Sequence, residues 1–150
     1  MSFEYPKHVS YVCEKCAICC GDTKERVRQI LLLKIEAKRI SEKTSKEIEE
    51  FAEKIKGCEP YVYRMRKTAC GKCVFLKDNL CSIYEIRPLI CRFYPFQLEN
   101  TENGKLIFTY TNECPGIGKG PEFKRRFFEK LLKESERMMA EDTSESNKKY

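Results

Sequence analysis

Histidine occurs once in this chain, at His8, and the apolar run at 30–33 is far shorter than the roughly 18–20 residues a membrane-spanning helix needs. A single histidine excludes sites built mainly on imidazole. The first residues carry no basic stretch followed by an apolar one, so no secretory signal is read there. A Ser-His-Asp set, paired catalytic carboxylates and a dinucleotide fingerprint are also missing. The expectation is a soluble, cytoplasmic protein with no membrane span. The net charge of +6 is spread along most of the chain and gives no specific nucleic-acid signal.

Against these absences stand ten cysteines in 150 residues. In a reducing compartment so many thiols are expected to be metal ligands or redox groups rather than a disulfide framework. Four of them, Cys13, Cys16, Cys19 and Cys20, form a C-x-x-C-x-x-C-C run. The first three have the spacing of the first three ligands of a bacterial ferredoxin loop, which can give one thiolate to each of three irons of a cubane. Zinc more often takes a C-x-x-C pair from one knuckle and a second pair from elsewhere. Cys20 adjoins Cys19 and points to a second site or to none.

A second constellation runs from Cys73 through Cys81 and Cys91 to Phe96, with Arg87, Pro88, Arg92 and Pro95 between and beside the thiols. The prolines fix φ and hold an irregular loop still. The arginines are candidates to offset thiolate charge or to donate to sulfur and backbone carbonyls. The segment from Cys114 to Gly120 lacks the full phosphate-loop pattern and reads as a tight turn delivering Cys114.

Between these blocks the chain alternates helix and strand signals. Ile35, Ala37 and Ile40 mark a short helix ending near Ser41, and Val27, Ile30, Leu32 and Leu33 are expected to be buried. Thr44 with Glu47 reads as a capping box opening a second helix through Ile48, Phe51, Ala52 and Ile55 to Gly57. Residues 61–65 alternate as a strand, and 82–87 as one or two helical turns ended by Pro88. Asn103-Gly104 predicts a hairpin joining strands near 97–99 and 106–110. Pro121 is placed at the start of a C-terminal helix with Phe123, Phe127, Leu131 and Leu132 on one face. Cys58 is expected to be a buried thiol at a helix end, Cys70 a spare, and His8 solvent-exposed. The fold class is therefore α+β: one small metal-stabilised domain over 1–141 with a short antiparallel hairpin, two central helices and a C-terminal helix, then a frayed polar tail over 142–150.

The combination of "CEKCAICC", "CVFLKDNLCSIYEIRPLICRFYPF" and "CPGIGKG" resembles the YkgJ-type cysteine-cluster family, whose C-x-x-C-x-x-C-C domain is described as zinc- or iron-chelating. The resemblance implies metal chelation by Cys13, Cys16, Cys19, Cys20, Cys73, Cys81, Cys91 and Cys114, with Tyr84, Arg87, Pro88, Arg92 and Pro95 as companions. The family is in turn similar to flagellin lysine N-methylases, which contain an iron–sulfur cluster. The leading expectation is a [4Fe–4S] protein for electron transfer, cluster carriage or service to a redox or methylating enzyme, its protein partner. The alternatives are a zinc-binding structural or interaction module with four-cysteine sites, and a cluster-dependent protein methyltransferase.

Overall fold

The computed structural model describes residues 3–13, 20–23, 26–111, 113–114 and 116–147. Two apolar clusters organise them, each built on a three-stranded sheet. In the first sheet, β1 (Phe3–Glu4) lies parallel to β9 (Leu106–Tyr110), and β9 pairs antiparallel with β8 (Phe96–Asn100). The β8–β9 hairpin forms where Asn103-Gly104 predicts it, with Gly104 at φ 74°, a conformation that costs glycine little. Phe3, Phe96 and Phe108 face Phe128 of α4 (Arg125–Asn147), with the Phe96 and Phe108 rings each 5.1 Å from Phe128. Aromatic contacts of this edge-on and tilted kind add about 0.5–1.5 kcal/mol each beyond the area they bury.

The second sheet has the order β3 (Leu31–Leu32), β5 (Tyr63–Met65), β4 (Ala52–Lys54), antiparallel throughout. Its inner face packs Leu32, Ala52 and Met65 against Ala37 and Ile40 of α1 (Lys34–Thr44) and Phe51 of α2 (Ile48–Phe51). Consecutive residues Leu32 and Leu33 belong to different clusters, so the entry to α1 joins the two cores.

Glu36 fixes that junction. It is 4 % exposed, and its carboxylate accepts from Leu33 N at 2.9 Å and from Leu89 N at 2.6 Å. One side chain thus satisfies an otherwise orphaned donor at the start of α1 and another at the start of α3 (Leu89–Phe93). Burial pushes its carboxyl pKa up, against the two backbone donors that hold it down.

Several expectations are corrected. The second central helix stops after one turn: Ala52 is extended, and residues 52–54 pair with β5 instead. Burying Ala52 opposite Met65 and pairing Arg64 with Glu53, at 2.7 Å, prevails over local helical spacing. The N-cap of α2 is Glu47, while Thr44 donates to Ile40 O inside α1. Pro121 sits in β10 (Ile117–Glu122), which pairs with β2 (Ser10–Tyr11), and α4 begins at Arg125. A proline is tolerated there because β10 belongs to a two-stranded ribbon with an open edge. Pro88 ends the short 3₁₀ turn Tyr84–Ile86 and also opens α3. Val27 is 70 % exposed and Cys58 is exposed. Through the segment expected to fray, α4 continues to Asn147, and Asp142 accepts from Ile35 N at 3.0 Å. No described helix is long and apolar enough to cross a membrane.

Candidate metal centre

Backbone pairing clamps both described ends of the first cysteine run. On the Cys13 side, Val12 N donates to Gly116 O at 3.1 Å, two residues past Cys114. A Cβ on Gly116 would stand 2.0 Å from Val12 O, so only glycine permits this approach. On the Cys20 side, Cys73 N donates to Cys20 O at 2.6 Å and Asp22 N donates to Gly71 O at 2.9 Å. Between these bonds Gly21 faces Lys72 in an antiparallel bridge, and a Cβ on Gly21 would lie 2.5 Å from Gly71 O. The ends of one eight-residue motif are therefore fixed to two later cysteine-bearing segments.

Cys73, 5 % exposed, belongs to the second apolar cluster, and Cys20, Cys81 and Cys91 pack against that same cluster. Cys81 arrives on a hairpin absent from the sequence expectations, β6 (Leu76–Lys77) with β7 (Leu80–Cys81). Asp78 and Asn79 both have positive φ in its two-residue turn, and this Asp-Asn pair was the available signal. Cys91 sits in α3, its N–H bonded to Pro88 O at 3.0 Å. Cys114, 5 % exposed, is anchored through its neighbour Glu113, which accepts from Thr23 Oγ1 at 2.7 Å and Arg26 Nε at 2.8 Å. Those bonds, with the Thr23 hydroxyl foremost, hold the Glu113 carboxyl below the usual range.

Asp22 performs a matching task beside Cys20. It accepts from Lys67 Nζ at 2.6 Å and Arg28 N at 2.7 Å, and the Lys67 bond leads in lowering its pKa. Asp22 and Glu113 were missed in the sequence because no spacing marks a residue that ties two loops together. The close approaches at Gly21 and Gly116 did leave a signal: each glycine follows a motif cysteine by one or two residues.

The described thiols differ in exposure. Cys13 is exposed, and Cys58 and Cys70 are exposed outside the packed cluster. Cys16 and Cys19 lie outside the described residues. Among the described residues, no three His, Cys, Asp or Glu side chains are grouped closely enough to hold a metal ion. His8 is exposed beside Glu122, at 3.4 Å. Of the two arginines expected to offset thiolate charge or to donate to sulfur or backbone carbonyls, Arg87 donates from Nε to Tyr84 O at 3.0 Å and lies 3.8 Å over the Tyr84 ring. Arg92 donates to Arg87 O at 3.0 Å and meets Glu134 of α4 at 3.6 Å. These contacts brace the loop and dock it on α4. The donor set itself, six described motif thiols drawn from segments fixed to one another, suits a soft thiophilic metal.

The family described as "CxxCxxCC: Putative zinc- or iron-chelating domain" matches residues 12–115. The chain belongs to this family. The matched span starts one residue before Cys13 and ends one after Cys114, so it coincides with the segment closed by the Val12–Gly116 clamp. Two curated relatives from Methanocaldococcus jannaschii are similar. "Uncharacterized protein MJ0661" is 33 % identical over 112 residues, covering 71 % of this chain and 55 % of its own length. "Uncharacterized protein MJ0939" is 29 % identical over 120 residues, covering 76 % of this chain and 39 % of its own length. The chain thus spans about half the length, or less, of these two relatives. No solved structure matches.

Proposed function

We propose that the chain binds a [4Fe–4S] cluster with thiolates from both cysteine blocks, and serves electron transfer or cluster carriage for a protein partner. Cys13, Cys16 and Cys19 supply three ligands at the interval that wraps a cubane. Cys73 supplies the fourth, and Cys20, Cys81, Cys91 and Cys114 form the surrounding thiol set. The observation that carries this reading is the 2.6 Å bond from Cys73 N to Cys20 O, which unites blocks about fifty residues apart in the chain. Metal binding is coupled to folding, so a bound metal would draw the thiolates of the two joined blocks together. When bound, a cluster of this kind would supply one-electron chemistry, and Cys73 would present its thiolate from an apolar cluster that includes Phe75 and Ile83.

Anaerobic purification with analysis of iron, acid-labile sulfide and zinc tests the reading. The expected result is a brown protein absorbing near about 400 nm with iron and sulfide in equal amounts. A colourless protein with zinc alone would replace the cluster by four-cysteine zinc sites.

A further inference from the structure

One side of β8 pairs with β9, and its other side is the outer edge of the sheet. Thr111 N donates to Pro95 O at 3.0 Å, and Thr101 N donates to Lys105 O at 2.8 Å. Hydrogen-bonded and non-hydrogen-bonded pairs alternate along an antiparallel ladder, so the bonded pairs between these two are Gln97–Thr109 and Glu99–Ile107. Phe96, Leu98 and Asn100 therefore turn their N–H and C=O groups away from β9. Among the described residues none bonds to those outward groups.

Open edges are commonly blunted by proline, lysine, a bulge or brevity. The other edge strands among the described residues follow that rule. β10 carries Pro121 and a register shift, and the rest run two or three residues. β8 keeps five residues in unbroken register and has none of these devices. A cleft of about 450 Å³ adjoins it, lined by Phe96, Leu98, Phe93 of α3 and Met139 of α4.

We infer that β8 pairs with β8 of a second copy of this chain, antiparallel about a two-fold axis at Leu98, joining two three-stranded sheets into one of six. The strand is complementary to itself, as a two-fold interface requires. A centre at Leu98 sets Gln97 opposite Glu99 of the second copy, and the axis repeats that pair. A centre at Glu99 would oppose two carboxylates, and one at Gln97 would leave Glu99 and Asn100 outside the paired strand. Only Leu98 engages all five residues and keeps like charges apart. Leu98 and Met139, both half-buried, supply apolar area beside the seam. The inference holds whichever metal the thiolates take.

Sedimentation velocity of the full, metal-loaded chain tests it, with Gln97→Glu and Gln97→Lys run beside wild type. A thiol reductant keeps the exposed Cys58 and Cys70 from linking copies. Wild type is expected to pass from the 17.7 kDa chain to a species of twice that mass as concentration rises. Gln97→Glu places a carboxylate opposite Glu99 twice per dimer and should weaken association at least about threefold, whereas Gln97→Lys should strengthen it by as much. The net charge of +6 acts the other way, because an added carboxylate lowers the repulsion between copies. The order of the two variants thus separates strand pairing from bulk charge. Hydrogen exchange on wild type locates the seam without any variant. The Leu98 and Asn100 amides should slow as concentration rises, and those of Gln97 and Glu99, already bonded to β9, should change less. A chain still monomeric at about 1 mM, equal or reversed order of the variants, or Leu98 exchange unchanged by dimerisation would each overturn the inference.

Discussion

Single residues decide whether the two cysteine blocks can meet. Gly116→Ala places a methyl group where Val12 O already lies, 2.0 Å from the new Cβ, and neither partner is a flexible side chain that can swing away. The β2–β10 ribbon must then part, releasing Cys13 from the Cys114 segment. Metal content of purified Gly116→Ala, against Gly104→Ala as control, checks this. The control position is in open space but has positive φ, so it should cost about 1–2 kcal/mol of stability and no metal. Glu36 offers a second test. Its two oxygens accept from two different backbone donors, and glutamine can accept with only one of its two ends. Glu36→Gln should therefore cost about 1–3 kcal/mol in chemical denaturation.

The same residue carries a pH signature. Burial raises its folded-state pKa above the ordinary glutamate value, with Arg92 lowering it and Asp142 raising it across the junction. Tyr61 faces it with its own pKa pushed up, by burial first and then by the Glu36 charge. A raised carboxyl pKa means the folded state holds the proton more tightly. That contribution is complete below the unfolded value and is lost as pH rises through the folded one. Denaturation of wild type and Glu36→Gln across the acidic range should show a difference that changes through this window and then levels off. A difference independent of pH would mean Glu36 does not titrate there.

At the scale of elements, legibility followed how local the determining interaction was. The β8–β9 hairpin, the 34–44 helix and the C-terminal helix announce themselves through a turn dipeptide and helical spacing, which act within a few residues. Residues 52–54 do not, because their strand exists only as the partner of β5. Pro121 misled for a similar reason: its companion β2 lies more than a hundred residues earlier. Cys58 and Val27 are exposed because the loops that carry them turn outward, which composition cannot reveal. The cysteine motif was legible as chemistry, since spacing of three is local. The staples Asp22, Glu113 and Glu36 were not, since each acts between segments distant in sequence. The C-terminal end of α4 makes a prediction at this scale. Asp142 bonds the first turn of α1, and Arg39 pairs with Glu141. Asp142→Ala should lower stability by about 0.5–2 kcal/mol, the usual cost of a lost helix-start acceptor, whereas a tail that merely frayed would show no change in urea midpoint.

For the whole molecule, the two apolar clusters meet at the entry to α1, and the cysteine-bearing segments border the second of them. The stretch from Cys73 to Cys91 has only a two-residue-strand hairpin, one 3₁₀ turn and the start of a short helix. Little regular hydrogen bonding holds it, so bound metal should supply a large share of its order. Chelation is expected to lower the melting temperature and to expose amides in this stretch to hydrogen exchange before those of the β8–β9 hairpin. Equal melting with and without metal would place the stability of the fold in the apolar clusters alone.

The central claim is that both cysteine blocks serve one metal site, and a double-mutant comparison of bound metal reads it directly. Metal and sulfide per chain would be measured after anaerobic purification for Cys19→Ser, Cys73→Ser and the double variant. If the site is shared, either single substitution removes the same metal and the double variant loses no more than each alone. Losses that add, each single variant keeping the metal the other lacks, would mean that the two blocks hold separate sites.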